Sequence, residues 1–136
     1  MHLVHYDPTD GRVFTKSSGF WQPEDARAFR EEVRAACRVA EMAGLRIAML
    51  SDLVGYPPQA HEVRRINLET VAILLAAPID RHALVVPSAM ARAQVRRLMV
   101  SVESRFFVDM TAALGWLGWS DIPGEPLSEV ASSSGY

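Results

Sequence analysis

Cysteine is all but missing from this sequence of 136 residues: Cys37 stands alone. That excludes an internal disulfide and any multi-cysteine metal site. Histidine is nearly as sparse, with His2, His5, His61 and His82 scattered along the chain. His61-Glu62 begins like a zinc-protease helix, but the metal would need a second imidazole one turn on, and position 65 is Arg. No metal site is expected. Glycine-rich phosphate loops are absent too, in both the G-x-x-x-x-G-K and the G-x-G-x-x-G form, so no nucleotide cofactor is expected. No serine sits in a Gly-x-Ser-x-Gly elbow, which removes the usual support for a hydrolase. Charge of one sign is not in excess: 14 basic and 16 acidic residues leave a net charge of -2, so no global field draws nucleic acid or an anionic membrane. Long apolar runs are lacking; Val71 to Pro78 and Ala83 to Pro87 are far too short to span a bilayer. The first residues show no basic start followed by an apolar stretch, so a secretory signal is not expected. With the lone cysteine, this makes a cytoplasmic setting the simplest expectation.

What is present is the balance of a folded domain, with 49% apolar and 22% charged residues. His2 to Asp7 and Arg12 to Ser18 flank the turn residues Pro8-Thr9-Asp10-Gly11, which predicts an antiparallel hairpin. Pro23, Glu24 and Asp25 suit the first turn of a helix. Phe29, Val33, Ala36, Cys37 and Ala40 then mark one helical face before Gly44 ends it. Leu45 to Leu50 is apolar except for Arg46, as in a parallel strand covered on both faces. A loop from Ser51 to Pro58, a helix from Gln59 to Ala77 and a short buried strand from His82 to Val86 follow. Ser88 can cap a helix reaching about Val102, with Ala91, Val95, Leu98, Met99 and Val102 on one face. Arg105 to Val108 reads as a last strand, and Asp109 caps a helix from Met110 to Leu117. The order predicts an α/β fold: a five-stranded mixed sheet, antiparallel only at its N-terminal hairpin, with about four helices. From Ser120 the composition turns polar, so residues 1–118 are expected to form the domain and 119–136 a tail without a core.

That order, together with Gly19-Phe20-Trp21 before Pro23-Glu24-Asp25-Ala26, Leu50-Ser51-Asp52 closing the third strand, Arg81-His82-Ala83-Leu84-Val85-Val86 as the fourth, and Arg105-Phe106-Phe107 with Ala112-Ala113-Leu114-Gly115-Trp116-Leu117 at the end, resembles the SpoIIAA-like branch of the STAS/SEC14 superfamily. The resemblance covers roughly residues 1 to 118. It implies the SpoIIAA-like fold and, since many members of the branch are small bacterial proteins without an assigned activity, it implies little about function. Related anti-sigma-factor antagonists carry an Asp-Ser pair after the third strand, whose serine a partner kinase phosphorylates. Here Asp52 takes the aspartate position, Leu53 stands where the serine would be, and Ser51 lies on the wrong side of Asp52. The resemblance therefore implies a chain without the usual phosphorylation switch.

The carboxyl ends of parallel strands are the usual place for a ligand crevice in an open α/β sheet. Ser51, Asp52, Tyr56, Pro57 and Pro58 fall at that rim, with Pro87 and Ser88 opposite. Two readings of Asp52 stand at this point: a binding group, or a brace for its own loop. A Ser51, His61 and Asp52 triad is disfavoured, because adjacent residues on an extended segment point opposite ways. Cys37 reads as a small core residue and His82 as a structural one. Arg64 and Arg65, and the line of Arg92, Arg96 and Glu103, read as solvated faces. The helix from Gln59 to Ala77 is apolar over more than one face: Val63, Ile66, Ile73 and Leu74 suit the sheet, while Leu68, Val71, Ala72 and Leu75 form a second stripe. A stripe of that kind commonly serves self-association, and a two-fold dimer is the commonest form. The expectation is a non-enzymatic regulatory or protein-interaction module, homodimeric through Leu68, Val71 and Leu75, with the Ser51 to Pro58 rim as its contact loop. The alternative is a carrier or sensor of a small apolar ligand or lipid at the same rim.

Overall fold

The computed structural model describes residues 1–86, 88–98 and 104–124. Nine elements follow in chain order: β1 (His2–Asp7), β2 (Arg12–Ser17), α1 (Pro23–Met42), β3 (Ile47–Asp52), α2 (His61–Ala76), β4 (Ile79–Val85), α3 (Ala89–Leu98), β5 (Ser104–Phe107) and α4 (Met110–Leu117). The sheet runs β1-β2-β3-β4-β5. Only β1 and β2 are antiparallel; the remaining neighbours are parallel. The expected five-stranded mixed sheet with four helices is what forms.

The hairpin turn is built by two residues. Asp7 accepts hydrogen bonds from the Thr9 N–H at 2.9 Å and the Thr9 hydroxyl at 2.5 Å, and these hold its carboxyl below the usual range. Gly11 takes φ +74, and a Cβ there would lie 2.3 Å from the Arg46 carbonyl oxygen, so both conformation and space require glycine. Helix α1 starts at Pro23, with the Asp25 carboxylate accepting from the Gln22 N–H at 2.8 Å. It ends as the sequence predicts: Gly44 adopts φ +71, and Leu45 N–H returns to the Ala40 carbonyl at 2.9 Å.

Each parallel step moves one strand in the same direction, and right-handed crossovers then place α1, α2 and α3 on a single face. The packing agrees. Val13, Ile47 and Met49 meet Val33, Ala36, Cys37 and Ala40 of α1 and Leu74 of α2, with Val95 of α3 against the same cluster. The opposite face, carrying Phe14, Leu50, Ala83 and Val85, meets Ala113 and Leu117 of α4. With helices on both sides, β2, β3 and β4 bury successive residues rather than alternate ones.

Several boundaries differ from the sequence reading. The third strand starts at Ile47 rather than Leu45, because the chain leaving Gly44 needs two residues to reach the sheet. It continues through Ser51 and Asp52, which therefore belong to β3 and not to the following loop. Strand β4 begins at Ile79, three residues before the expected start, and its register against β3 shifts at Ile47/Ala48. Helix α2 begins at His61, two residues late, because Gln59 is used elsewhere. Pro87, the expected end of the third helix at Met99 to Val102, Glu103 and the polar residues 125–136 lie outside the described residues.

Packing continues past residue 118. Trp119 and Ile122 lie against the cluster under α4, and Pro123 is buried. The Arg12 guanidinium holds this segment: it contacts Asp121 at 2.7 Å, also reaches Asp10 and Asp7, and lies 5.3 Å from the Trp119 ring centre.

Candidate functional site

The carboxyl ends of β2 and β3 are joined by a clamp that sequence reading missed. Gln59, buried at the foot of α2, accepts from the Trp21 backbone N–H at 2.8 Å through its side-chain oxygen. Its amide nitrogen donates to the Gly19 carbonyl at 3.0 Å and to the Pro57 carbonyl at 2.7 Å. One side chain thus ties the β2–α1 connection to the β3–α2 connection, and the Gly19 N–H adds a backbone bond to the Gly55 carbonyl at 2.9 Å. The indole of Trp21 is buried behind the clamp, donating to the Ser18 carbonyl at 3.1 Å. Tyr56 packs edge-on to Trp21 with ring centres 4.8 Å apart, and its hydroxyl accepts from Asn67 at 2.9 Å. Burial pushes that phenol up to about 12.

Outside this anchored frame, two apolar side chains face solvent. Phe20 is 78% exposed and Val54 is 55% exposed, one on each of the two connected loops. Sequence reading places Phe20 in the Gly19-Phe20-Trp21 mark and Val54 inside the Ser51 to Pro58 loop, and names neither as a site residue. The available signal was their place: each lies just past the end of a parallel strand and beside residues that hold its loop.

The expected rim residues divide. Asp52 is half-buried and accepts from the Val54 N–H at 3.1 Å, so in this structure it braces its own loop. Pro58 is exposed, and Tyr56 is half-buried against Trp21. Ser88 accepts from the Ala91 N–H at 3.3 Å, capping α3 as expected. Ser51 is not at the rim surface. As a residue of β3 it points toward α1 and α2, where Thr15 Oγ1 donates to its hydroxyl at 3.0 Å and His82 Nε2 lies 2.7 Å away. His82 is buried, and desolvation pushes its imidazole down to about 4, leaving it neutral at ordinary pH. The serine's histidine partner is thus His82 from the neighbouring strand; His61 is exposed at the start of α2. Ser51 and His82 are both buried in this structure, and Asp52, the next residue along β3, faces the other side of the sheet. Cys37 is buried in the core as read, its thiol pushed up to about 11 by desolvation, which leaves it unreactive.

On α2 the second stripe is partly free. Leu68 is 50% and Leu75 40% exposed, with Ala72 exposed between them. Val71 and Ile73 are half-buried against the core cluster, and Thr70 joins Val63, Ile66 and Leu74 as a fourth fully buried position. A 3.6-residue period brings position 70 to the sheet whatever its polarity, which a count of apolar residues alone does not reveal.

No group of three or more His, Cys, Asp or Glu side chains able to hold a metal occurs among the described residues. No helix among them is long and apolar enough to cross a membrane.

No family model matches the chain, and no curated protein does. Among solved structures it is similar to an uncharacterized protein of the DUF3478 family with a SpoIIAA-like fold, from Shewanella loihica PV-4. The similarity covers 86% of this chain and 92% of that one, with a TM-score of 0.63 and 19% sequence identity. The fold is SpoIIAA-like, as the sequence marks implied.

Proposed function

We propose that this SpoIIAA-like chain is a non-enzymatic regulatory or protein-interaction module that meets its partner through the rim at the carboxyl ends of β2 and β3. The observation that carries this reading is the pairing of exposed Phe20 and Val54 with loops fixed from beneath by Gln59 and Trp21. Apolar side chains displayed on loops already ordered in the free protein lose little entropy on binding, and such anchors commonly dominate interfaces. The groups with catalytic chemistry, Ser51 and His82, are turned inward, which favours a binding role over an enzymatic one. The same inward turn withholds the Ser51 hydroxyl from a kinase, in keeping with a module that works without the Asp-Ser switch. The buried thiol of Cys37 suits a cytoplasmic setting.

The module is a homodimer in this reading, associating through Leu68 and Leu75 of α2, which leaves the rim free. Exposed apolar residues at a spacing of seven, with the small Ala72 between, suit a helix crossing its own copy.

A photo-crosslinking phenylalanine placed at position 20, at 54, or at Met42 as an exposed control tests the rim in cells. The expected result is one protein captured at both 20 and 54 and not at 42. Equal capture at all three positions, or none at the rim, contradicts the reading. Capture of a lipid or small apolar molecule at 20 and 54 instead supports the carrier alternative.

A further inference from the structure

The far edge of the sheet carries a charge that the rim does not use. From Arg81 to Leu117 the sequence holds five arginines, Arg81, Arg92, Arg96, Arg97 and Arg105, against two acidic residues, Glu103 and Asp109, although the whole chain has more acid than base. The elements β4, α3, β5 and α4 gather this excess at one side of the fold, because β4 and β5 are neighbours and β5 ends the strand order.

Two of these arginines meet on one ring. Arg105 is the register partner of Ala83, and Arg81 lies two residues before Ala83, so both side chains rise beside each other on the α4 face. The guanidinium carbon of Arg81 lies 5.1 Å from the centre of the Trp116 indole, and that of Arg105 lies 5.5 Å from it. Arg81 is fixed further by a hydrogen bond of 2.8 Å from its Nη1 to the Trp116 carbonyl. Phe107 supports the indole, with ring centres 5.8 Å apart. On the opposite face of β5, Arg96 stands 5.0 Å from the centre of the Phe106 ring. Arg81, Arg96 and Arg105 are exposed, and Trp116 is half-buried.

The nearby carboxylates are used elsewhere. Asp80 pairs with Arg46 at 2.8 Å, and Asp109 accepts from the Ala112 N–H at the start of α4. Glu103 lies outside the described residues and, whatever its position, balances one guanidinium at most. Gly124, which leads to Glu125 and Glu129, lies against His5 of β1, at the other end of the strand order. An indole attracts a cation through its quadrupole but neutralises no charge. Two guanidiniums on one ring therefore still repel, and an oxyanion held by both relieves that repulsion. Each guanidinium is a rigid planar fork, so contact with the ring leaves N–H donors at its border for a carboxylate or a phosphate. Among the described residues β5 pairs with a strand on one edge only, so the backbone groups of its other edge are placed to bond an extended chain.

We propose that this edge is a docking surface for an acidic, extended segment of a protein partner, whose carboxylate or phosphorylated side chain is bound by Arg81 and Arg105 against Trp116. The surface is separate from the rim at Phe20 and Val54 and does not depend on it.

Nitrogen-15 NMR of the labelled full chain tests this with three blocked peptides: acetyl-Ala-Glu-Val-Glu-Ala-amide, the same peptide with phosphoserine for its first Glu, and the same peptide with Gln for both. The Trp116 indole N–H and the Nε–H of Arg81 and Arg105 should shift saturably with the two acidic peptides and not with the Gln peptide. The tighter of the two identifies the preferred oxyanion. Arg105→Gln should weaken binding about tenfold with the rest of the spectrum retained, the effect of losing one charge-assisted hydrogen bond. Arg81→Gln should do the same; if it disturbs α4, Arg105→Gln decides. No saturable shift with either acidic peptide at millimolar concentration overturns the proposal. Equal shifts at Arg27 and Arg34 also overturn it, because these exposed arginines of α1 already pair with Glu24 and Glu31 and report general ionic attraction. Shifts at Trp116 with phosphatidylserine vesicles, and with neither peptide, assign the patch to a membrane and overturn it too.

Discussion

Beneath α4 the sheet presents Phe14, Leu50, Ala83 and Val85, an apolar layer closed by Ala113, Leu117 and the Trp119–Ile122 segment. On the other side, beneath α1 to α3, Val13, Ile47 and Met49 are interrupted by Thr15, Ser51 and His82. Both layers are buried to a similar degree, so burial does not distinguish them. The α4 side gains from removing carbon from water and depends on close packing. The polar row gains little net free energy from its hydrogen bonds, and its cost appears when a partner is removed or a charge is forced on it. The two sides should therefore fail under different challenges, one under truncation and the other under acid.

Phe14→Ala should be the most damaging single change, costing about 3–5 kcal/mol through lost transfer free energy and a residual cavity. Its denaturant midpoint should fall with the slope unchanged, and the loss should be the same at pH 7 and pH 5. A loss well under 1 kcal/mol would mean that the α4 layer is not close-packed.

Acid should act through the other face. His82 has an ordinary value of 6.5 when unfolded and about 4 in the folded chain. Between these values the unfolded chain binds the extra proton, so stability falls as the pH drops from about 6.5 toward 4, by about 3 kcal/mol in all. Chemical denaturation at steps across that range should show the decline, and His82→Gln should flatten it. An unchanged acid limb in that variant would move the titrating group elsewhere.

Ser51→Ala leaves His82 Nε2 and Thr15 Oγ1 without their partner and should cost about 1–3 kcal/mol, less than the loss on the apolar side. A neutral outcome would mean that the row relaxes to other partners. The smallest effect on folding belongs to the outer surface of α2. Leu68→Glu with Leu75→Glu should leave cooperative unfolding intact, within about 0.5 kcal/mol per site, while light scattering changes from dimer to monomer. Loss of the fold would place those side chains in the core, and a wild-type monomer at micromolar concentration would remove the dimer from the proposed function.

The contrast between the faces also marks what sequence could carry. Element order was legible because turn residues, caps and apolar runs are local signals: Gly11, Pro23, Gly44 and Asp109 each fall where the backbone needs them. The polar row was not, because it depends on register. Alternation puts Ser51 on one side of its strand and His82 on one side of its own, but only the pairing of β3 with β4, irregular at Ile47/Ala48, brings them within 2.7 Å. Gln59 was hidden for a related reason: its partners Trp21 and Gly19 lie about forty residues away. For Asp52 the sequence leaves a binding group and a brace both open, and the bond it accepts from the Val54 N–H two residues ahead is the local event the second reading names.

The proposed binding role draws on the inward turn of Ser51 and His82, and a proton NMR titration of the His82 imidazole reads that turn most directly. The ring should stay neutral in the folded protein as the pH is lowered through 6.5, taking up its proton only near pH 4 or with unfolding. Titration of a folded His82 close to 6.5 would show a solvent-accessible imidazole and contradict the sealed pair.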